Sequence, residues 1–368
     1  MKFSCNLQLL SEVVNNVSLA VSSRVNAIPA LEGILLECVG NKLNLIGYDL
    51  EIGILGSLEI KPEEDGALVL NSQLLRDMLK KMSGPIVNIS TDDRLMATIS
   101  DSETEYKIMG IKKEDYPIIP EVGANESFEL EDITLKNMII KTLFAVSQNP
   151  TQSPVCCGSM FKIRDNVLSV VSVDGYRVAL VKKKLSTTSN DISFIVPSKT
   201  LNEICKLLSD NEEAKTTIEV SKSHAIFRIG GYFIVTRLIE GEFINYEDAI
   251  PKDSTTTIYI DPKKFALSID RVSIIVTNKI SVVMKVENSK VYLQCESTLG
   301  MVNDKFDVEM QGDALEKIAF NNRYMLDALK HADCDEVKIV FNGPLIPIKI
   351  EPKDDDEFLY LVLPVRLK

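Results

Sequence analysis

The chain has 368 residues, 45% hydrophobic and 26% charged, with a formal net charge of −12. That length holds two or three domains with cores of their own, and the acid excess excludes nucleic-acid binding by the surface as a whole. No apolar run approaches the roughly 20 residues of a membrane span, and Glu12 with Asn15 and Asn16 interrupts what would be the core of a signal peptide, so a soluble cytoplasmic protein is expected.

In chain order, residues 9–23 space apolar side chains three and four apart, which predicts an amphipathic helix. Residues 33–54 are β-branched runs split by Gly, Asn and Asp, which predicts strands joined by tight turns. Residues 68–82 read as a strand, a cap signal at Asn71-Ser72 and a second helix. A strand, TEYKIMGI, a turn at 114–122 and a polar linker at 123–127 follow.

The pattern then repeats. A helix is predicted over 135–148, strands over 160–181, and a strand, Pro197-Ser198 and a helix over 194–208. The strand YFIVTRLI, a turn at 245–253 and a linker at 253–257 close the second round. The third has a helix over 265–278, strands over 281–297, and a strand, Asn321-Asn322 and a helix over 318–332. It ends in FLYLVLPV, with a strand from Leu359 to Leu363. Two helix types recur three times in one order, at offsets of 124 to 130 residues. We read three copies of one α+β domain, each with two helices and mostly antiparallel sheet, over 1–122, 128–251 and 254–368.

Charge follows the same division. The six helical segments together carry a net charge of +6 in a chain of −12, so the strands and loops hold the acid. Lysine is a good helix former on any solvated face, but that explanation predicts as much Glu as Lys, and Glu is scarce in these segments. A basic helix layer suits a phosphate backbone. No Arg-rich reading helix or aromatic stacking motif points to base readout.

Catalytic chemistry finds little support. The cysteines, Cys5, Cys38, Cys156, Cys157, Cys205, Cys295 and Cys334, are odd in number and lack a CxxC, so neither a disulfide framework nor a zinc site is expected. The two histidines, His224 and His331, lie in no metal-spaced cluster. Phosphate-cradling glycine motifs are absent, and no cofactor is expected. Asp174 in VSVDGYR is either a carboxylate catalyst or a turn residue before Gly175. The terminal strand before Pro364 is either an ordinary edge strand with a solvated tail or one wall of a binding site.

With VSVDGYRVAL, GEFINYEDAIP and LVLPVRLK, the sequence resembles the bacterial DNA polymerase III beta subunit family, the sliding clamps, over its whole length. The resemblance implies two chains closed head to tail into a ring of six domains, with helices lining the hole. Such a ring holds double-stranded DNA topologically, slides without sequence readout, and tethers the replicative DNA polymerase catalytic subunit for processivity. The clamp loader and other proteins with a clamp-binding motif would share one apolar peptide pocket between the second and third domains. It implies no catalytic site and no membrane partner.

Carried over by motif, that pocket uses Val173, Gly175, Tyr176, Arg177, Val178, Ile244 and Ala249, then Val362, Leu363, Pro364, Val365, Arg366 and Leu367. Cys156, Asn321, Tyr324 and Ile346 are further wall positions. For DNA the resemblance points to Arg24, Gln148 and Asn149, with Lys80, Lys199, Lys206 and Lys264 on the lining helices. For the homodimer interface it points to Tyr106 and Ile108 against Ile274 and Ile275 of the other subunit. Tyr176 stands where many relatives carry His, Ile244 where many carry Pro, and the chain runs one residue past the usual terminal Leu. Two other readings stay open: a repeat-built protein scaffold that does not bind DNA, and an enzyme using Asp174 or Cys157.

Overall fold

The computed structural model describes residues 1–22, 27–120, 122–123, 125–151, 153–185, 190–275 and 281–367. The described chain alternates six helices with twenty-six strands in four antiparallel sheets. The helices are α1 (Leu7–Val17), α2 (Ser72–Lys81), α3 (Asp132–Leu143), α4 (Ser198–Leu207), α5 (Pro262–Val272) and α6 (Asn322–His331).

Local chemistry sets the helix starts. Asn6, Asn71, Asp261 and Asn321 each turn an extended residue into an N-cap, the side-chain oxygen accepting from a first-turn N–H. Pro262 follows at the first turn of α5, where its missing donor costs nothing. One stripe of each is buried: Leu7, Leu10, Val13, Val14 and Val17 on α1, and Phe265, Ala266, Ile269 and Val272 on α5. The first helix of each round ends earlier than its apolar periodicity predicts. At α1 the Ser18 hydroxyl bonds back to the Val14 carbonyl at 2.5 Å, and Ser18–Ala20 tightens into a 3-10 turn.

Each round has one strand, a helix, four further strands, a second helix and three last strands, with an extra short strand in the first and third. Those strands form two sheet halves. One joins the first strand to the last three, as in Lys2–Asn6, Ile86–Thr91, Met96–Ser100 and Glu105–Met109. The other joins the four middle strands, as in Gly33–Val39, Lys42–Tyr48, Ile52–Glu59 and Gly66–Asn71.

The halves do not stay apart. The chain forms two compact units, Met1–Leu135 with Asn202–Leu238, and Lys136–Leu201 with Ile239–Lys368. In the first unit Tyr232–Arg237, the last strand of the second round, pairs antiparallel with Ile52–Glu59 of the first round. Thr236 stands opposite Ile52 and Phe233 opposite Leu55. An eight-stranded sheet results. In the second unit Phe358–Val362, the last strand of the third round, pairs with Arg177–Lys184 of the second, Val362 opposite Arg177. That makes a nine-stranded sheet. The rule is the same twice: the last strand of one round closes the edge of the third middle strand of the round before it. The compact units therefore do not follow the repeats, because the second round gives one sheet half to each.

A segment after each of the first two rounds folds back over the sheet. In the first unit Tyr116 is buried against Ala30, Leu35, Tyr48 and Val69, and its hydroxyl donates to the Ile46 carbonyl at 3.1 Å. In the second unit Tyr246 is buried against Met160, Val171, Leu180 and Ile195. The turn signals EDYPIIP and NYEDAIP are thus the covers of two cores.

Replacing Asn71 by Ala leaves the Leu74 N–H without its cap. Chemical denaturation should show a loss of about 1 kcal/mol for the unit that contains α2.

Candidate peptide-docking surface and strand edges

The residues that the sequence singles out around the terminal strand meet within the second unit. Asp174 and Gly175 make the turn, Gly175 at φ +87, where a side chain would be strained. The Asp174 carboxylate accepts from the backbone N–H groups of Tyr176 and Arg177 at 3.0 and 3.1 Å, and from Arg177 Nε at 2.8 Å. It is therefore the acceptor that shapes this turn, and all of those contacts are structural.

Arg177 anchors the surface from below. Its other guanidinium nitrogen donates to Asp327 of α6. Its Cζ lies 4.6 Å from the Tyr324 ring centroid and 5.6 Å from that of Phe144. Phe144 stacks on His331 at 4.6 Å and meets Tyr360 edge-on at 5.3 Å. The Tyr360 hydroxyl donates to the His331 carbonyl at 3.0 Å. A cation fixed by two carboxylates and two aromatic faces holds α6, the 174–177 turn and the terminal strand in one arrangement.

Tyr176 lies on top, 56% exposed, its ring stacked on Tyr324 at 6.1 Å. The terminal segment is stitched in place on both sides. Leu363 N donates to the Tyr176 carbonyl at 2.9 Å, and Val365 N to the Ala319 carbonyl at 2.7 Å, with Pro364 bridging Phe320. Ile111 and Ile239 make the same contact to Val69 and Ile195 after the earlier rounds.

The carried-over positions divide by depth. Val173, Val178, Val362 and Cys156 are core, so they support the surface from beneath. Gly175, Tyr176, Ile244, Val365, Arg366 and Leu367 are exposed, and Arg177, Ala249, Leu363, Pro364 and Tyr324 are half-buried. Ala249 packs on the core that Val173 and Val178 share. Asn321 is the N-cap of α6, accepting from Arg323 N and Tyr324 N, so its side chain is committed to the helix. Ile346 stands exposed in the loop before Ile348–Pro352. Exposed apolar side chains beside satisfied backbone suit the apolar anchors of a short peptide. Phe144, Asp327, His331 and Tyr360, which hold this surface, carry no sequence motif. Asp327 and His331 lie on α6, Phe144 just past the end of α3 and Tyr360 on the terminal strand.

The described positions assigned to DNA lie on several helices and one loop. Lys80 is exposed in the last turn of α2, as are Lys199 on α4 and Lys264 on α5. Lys206 is exposed but pairs with Glu203 at 2.6 Å. Gln148 and Asn149 are exposed, and Asn149 Oδ1 accepts from Thr151 N at 3.2 Å within a turn. Arg24 lies outside the described residues. Not every helix cation adds to a basic layer. Lys141 is buried and paired with Glu357 at 3.3 Å, and Arg271 binds Asp304 at 2.9 Å.

The interface positions lie at sheet edges. Tyr106 and Ile108 share one half-buried face of Glu105–Met109, which ends the five-stranded sheet of the first unit. Ile274 is 80% exposed and Ile275 half-buried in the turn Ser273–Ile275 after α5. That turn packs on Gly300–Asp307, the end strand of the four-stranded sheet in the second unit. The sequence reading passes over Gly300–Asp307, because its alternation of polar and apolar residues is weak. Cys157 is a poor nucleophile: burial pushes it up from its ordinary pKa, and its thiol faces the Ser153 carbonyl. His224 is lowered by burial and by nearby Arg237, with Ser223 Oγ 2.9 Å from Nδ1.

Replacing Arg177 by Ala strands Asp174 and Asp327 and removes the cation under Tyr324. Denaturation should show a loss of about 3 kcal/mol for the second unit, and Lys, lacking the planar fork, should restore little of it.

The same architecture recurs in known proteins. The chain matches three family models described as the DNA polymerase III beta subunit N-terminal domain over residues 1–120, central domain over 129–245 and C-terminal domain over 247–366. It is 32% identical to the beta sliding clamp of Staphylococcus epidermidis, over 100% of this chain and 99% of that protein. It is 31% identical to the beta sliding clamp of Staphylococcus aureus, with the same coverage. The crystal structure of the DNA polymerase sliding clamp from Bacillus subtilis aligns at a TM-score of 0.96 and 28% identity, covering 100% of both chains. The DNA polymerase III beta chain of Streptococcus pneumoniae aligns at 0.94 and 26%, again over 100% of both. Three repeats of two helices and antiparallel sheet, the matches along the whole chain and the identity to curated clamps converge: the chain belongs to the bacterial DNA polymerase III beta subunit family, the beta sliding clamps.

Proposed function

We infer that this DNA sliding clamp closes by pairing Glu105–Met109 of one copy with Gly300–Asp307 of a second, and that the homodimeric ring encircles duplex DNA. The observation that carries this reading is the twice-used junction. Glu105–Met109 is the last strand of its round, like Tyr232–Arg237 and Phe358–Val362. Gly300–Asp307 is the third middle strand of its round, like Ile52–Glu59 and Arg177–Lys184. One is left without its strand partner and the other without its edge, so a second copy supplies both, head to tail.

Equivalent pairings give the register. Ile108 faces Ala97 as Thr236 faces Ala225, and Gly110 N and Leu238 N each close the next contact at 2.8 Å. Met301 faces Glu296 as Val178 faces Val173. Ile108 then stands opposite Gly300 of the second copy, Lys107 opposite Met301, and Tyr106 opposite Val302. Tyr106 and Val302 are both half-buried while Lys107 and Met301 are both exposed, so the faces agree, and a slip of one residue would invert them. Ile274 and Ile275 flank this edge.

The ring supplies processivity without catalysis: it tethers the polymerase to its template as an effective concentration. Lys80, Lys199 and Lys264, with Gln148, Asn149, Lys206 and Arg24, give non-sequence-specific phosphate contacts. The replicative polymerase, the clamp loader and other motif-bearing partners seat their apolar anchors beside Tyr176, Ile244, Val365 and Leu367, over the Arg177 anchor. The division at 1–122, 128–251 and 254–368 gives the three domains. Among the described residues no helix is long and apolar enough to cross a membrane, and a cytoplasmic location suits replication.

Negative-stain electron microscopy at micromolar concentration should show rings with an open hole wide enough for a duplex; a compact particle without a hole refutes the reading. For the register, Lys107→Cys combined with Met301→Cys should give covalently closed dimers on mild oxidation. Lys107→Cys with Asn303→Cys, one pair out of step, and the unsubstituted chain should give far less.

A further inference from the structure

The second unit holds a basic cavity of about 520 Å³ that the docking surface and the DNA contacts do not use. Its floor is one face of three neighbouring strands, Gly158–Arg164, Val167–Val173 and Arg177–Lys184. Cross-strand pairing sets Lys162, Ser169 and Lys182 in one row and Arg164, Val167 and Lys184 in the next. Four cations thus share one face of a chain whose net charge is −12. Tyr246 and Ile250 of the covering segment form an apolar wall.

The cavity already holds one carboxylate. Glu247, carried across the strands by the covering segment, accepts from Lys162 at 2.9 Å. That bond lowers its pKa, and Arg164 and Lys182 add to the effect. Lys182 and Lys184 are exposed, and neither forms an ion pair among the described residues. Asp165, Glu247 and Asp356 also line the cavity and break its cationic face into separate positions, which does not suit a continuous run of phosphates. Single carboxylates spaced along a peptide fit better.

Position supplies the partner. Val178 supports the docking surface, and Lys182 lies four residues further along the same strand, about 13 Å away at 3.3 Å per residue. The segment that carries Ile244 and Ala249 at the docking surface carries Tyr246, Glu247 and Ile250 at the cavity. We propose that the cavity binds acidic residues flanking the apolar docking core of a partner peptide, Lys182, Lys184 and Arg164 receiving carboxylates as Lys162 receives Glu247. The proposal rests on the docking reading above, and it makes partner choice depend on charge beyond the core.

The test is fluorescence anisotropy of labelled peptides on the full-length protein. Each peptide carries a Leu-Phe core, with three glutamates set four residues before it or four residues after it, or with glutamines in their place. One of the two acidic peptides should bind about tenfold more tightly than its glutamine counterpart at low salt, and lose that gain as salt rises. Lys182→Gln with Lys184→Gln should abolish the gain and leave the affinity for the glutamine peptide unchanged, which also shows that the variant is folded. Arg164→Gln should reduce it. A gain that survives in the double variant, or no gain from either acidic peptide, overturns the proposal. Failure of the glutamine peptides to bind at all is failure of the docking reading; the proposal then stands only if a coreless glutamate peptide still binds through Lys182 and Lys184. A single-stranded oligonucleotide that binds through these lysines while the acidic peptides show no gain makes the cavity a phosphate site and overturns it.

Discussion

An unpaired strand edge is the constraint on which this molecule is built. Each edge residue presents backbone donors and acceptors that must find partners, and a sheet that ends in the open invites another strand. Within the described chain the answer comes twice, in the antiparallel joins at Thr236–Ile52 and Val362–Arg177. Each join fuses halves of two rounds into one sheet, so the repeats are tied by the same hydrogen bonds that hold each round together. Among the strands still at sheet edges, Glu105–Met109 and Gly300–Asp307 hold the same places in their rounds as the strands of those joins, and their buried and exposed side chains alternate alike. The closure proposed above applies the same solution between two chains.

The docking surface depends on that joinery. Because Phe358–Val362 closes the edge of Arg177–Lys184, the terminal segment emerges beside the 174–177 turn, where Leu363 N meets the Tyr176 carbonyl. Arg177 sits at the first pair of the join and turns it into a support, tying Asp174 and Asp327 together beneath the aromatic faces of Tyr324 and Phe144. An exposed apolar surface requires such a rigid floor, since a peptide gains little from groups it must first order. The acidic composition serves the same end. It sets the face shared by Lys162, Arg164, Lys182 and Lys184 against a chain whose net charge is −12.

Membership of the beta sliding clamp family sets the enzyme reading aside, and the local contacts agree with that. Asp174, the one carboxylate in a suggestive motif, spends its oxygens on the Tyr176 and Arg177 backbone and on the Arg177 side chain. Cys157 has its thiolate disfavoured by burial. Asn321 caps α6 through its side-chain oxygen, as its place before the helix predicts.

What the sequence determined by itself was whatever depends on neighbours in the chain. The helices follow from apolar spacing, their starts at Asn71 and Asn321 from capping chemistry, and the threefold plan from the recurrence of both at nearly constant offsets. The turn at Asp174-Gly175 was legible because a tight turn leaves a local signature, whereas a role for Tyr176 and Arg177 came only with the family resemblance. Only the tertiary structure decided the rest. That Asp327 and Phe144 meet Arg177, and Tyr360 meets Phe144, is a matter of contacts up to 216 residues apart, between Phe144 and Tyr360, with no local code. That Lys141 is buried against Glu357 while Lys80 is exposed cannot be read from charge alone, since a count does not say which face of a helix a cation occupies. And the pairing of rounds, with Glu105–Met109 and Gly300–Asp307 left at the edges, is fixed by hydrogen bonds between backbones, which every residue except proline can make and which no side-chain pattern spells out.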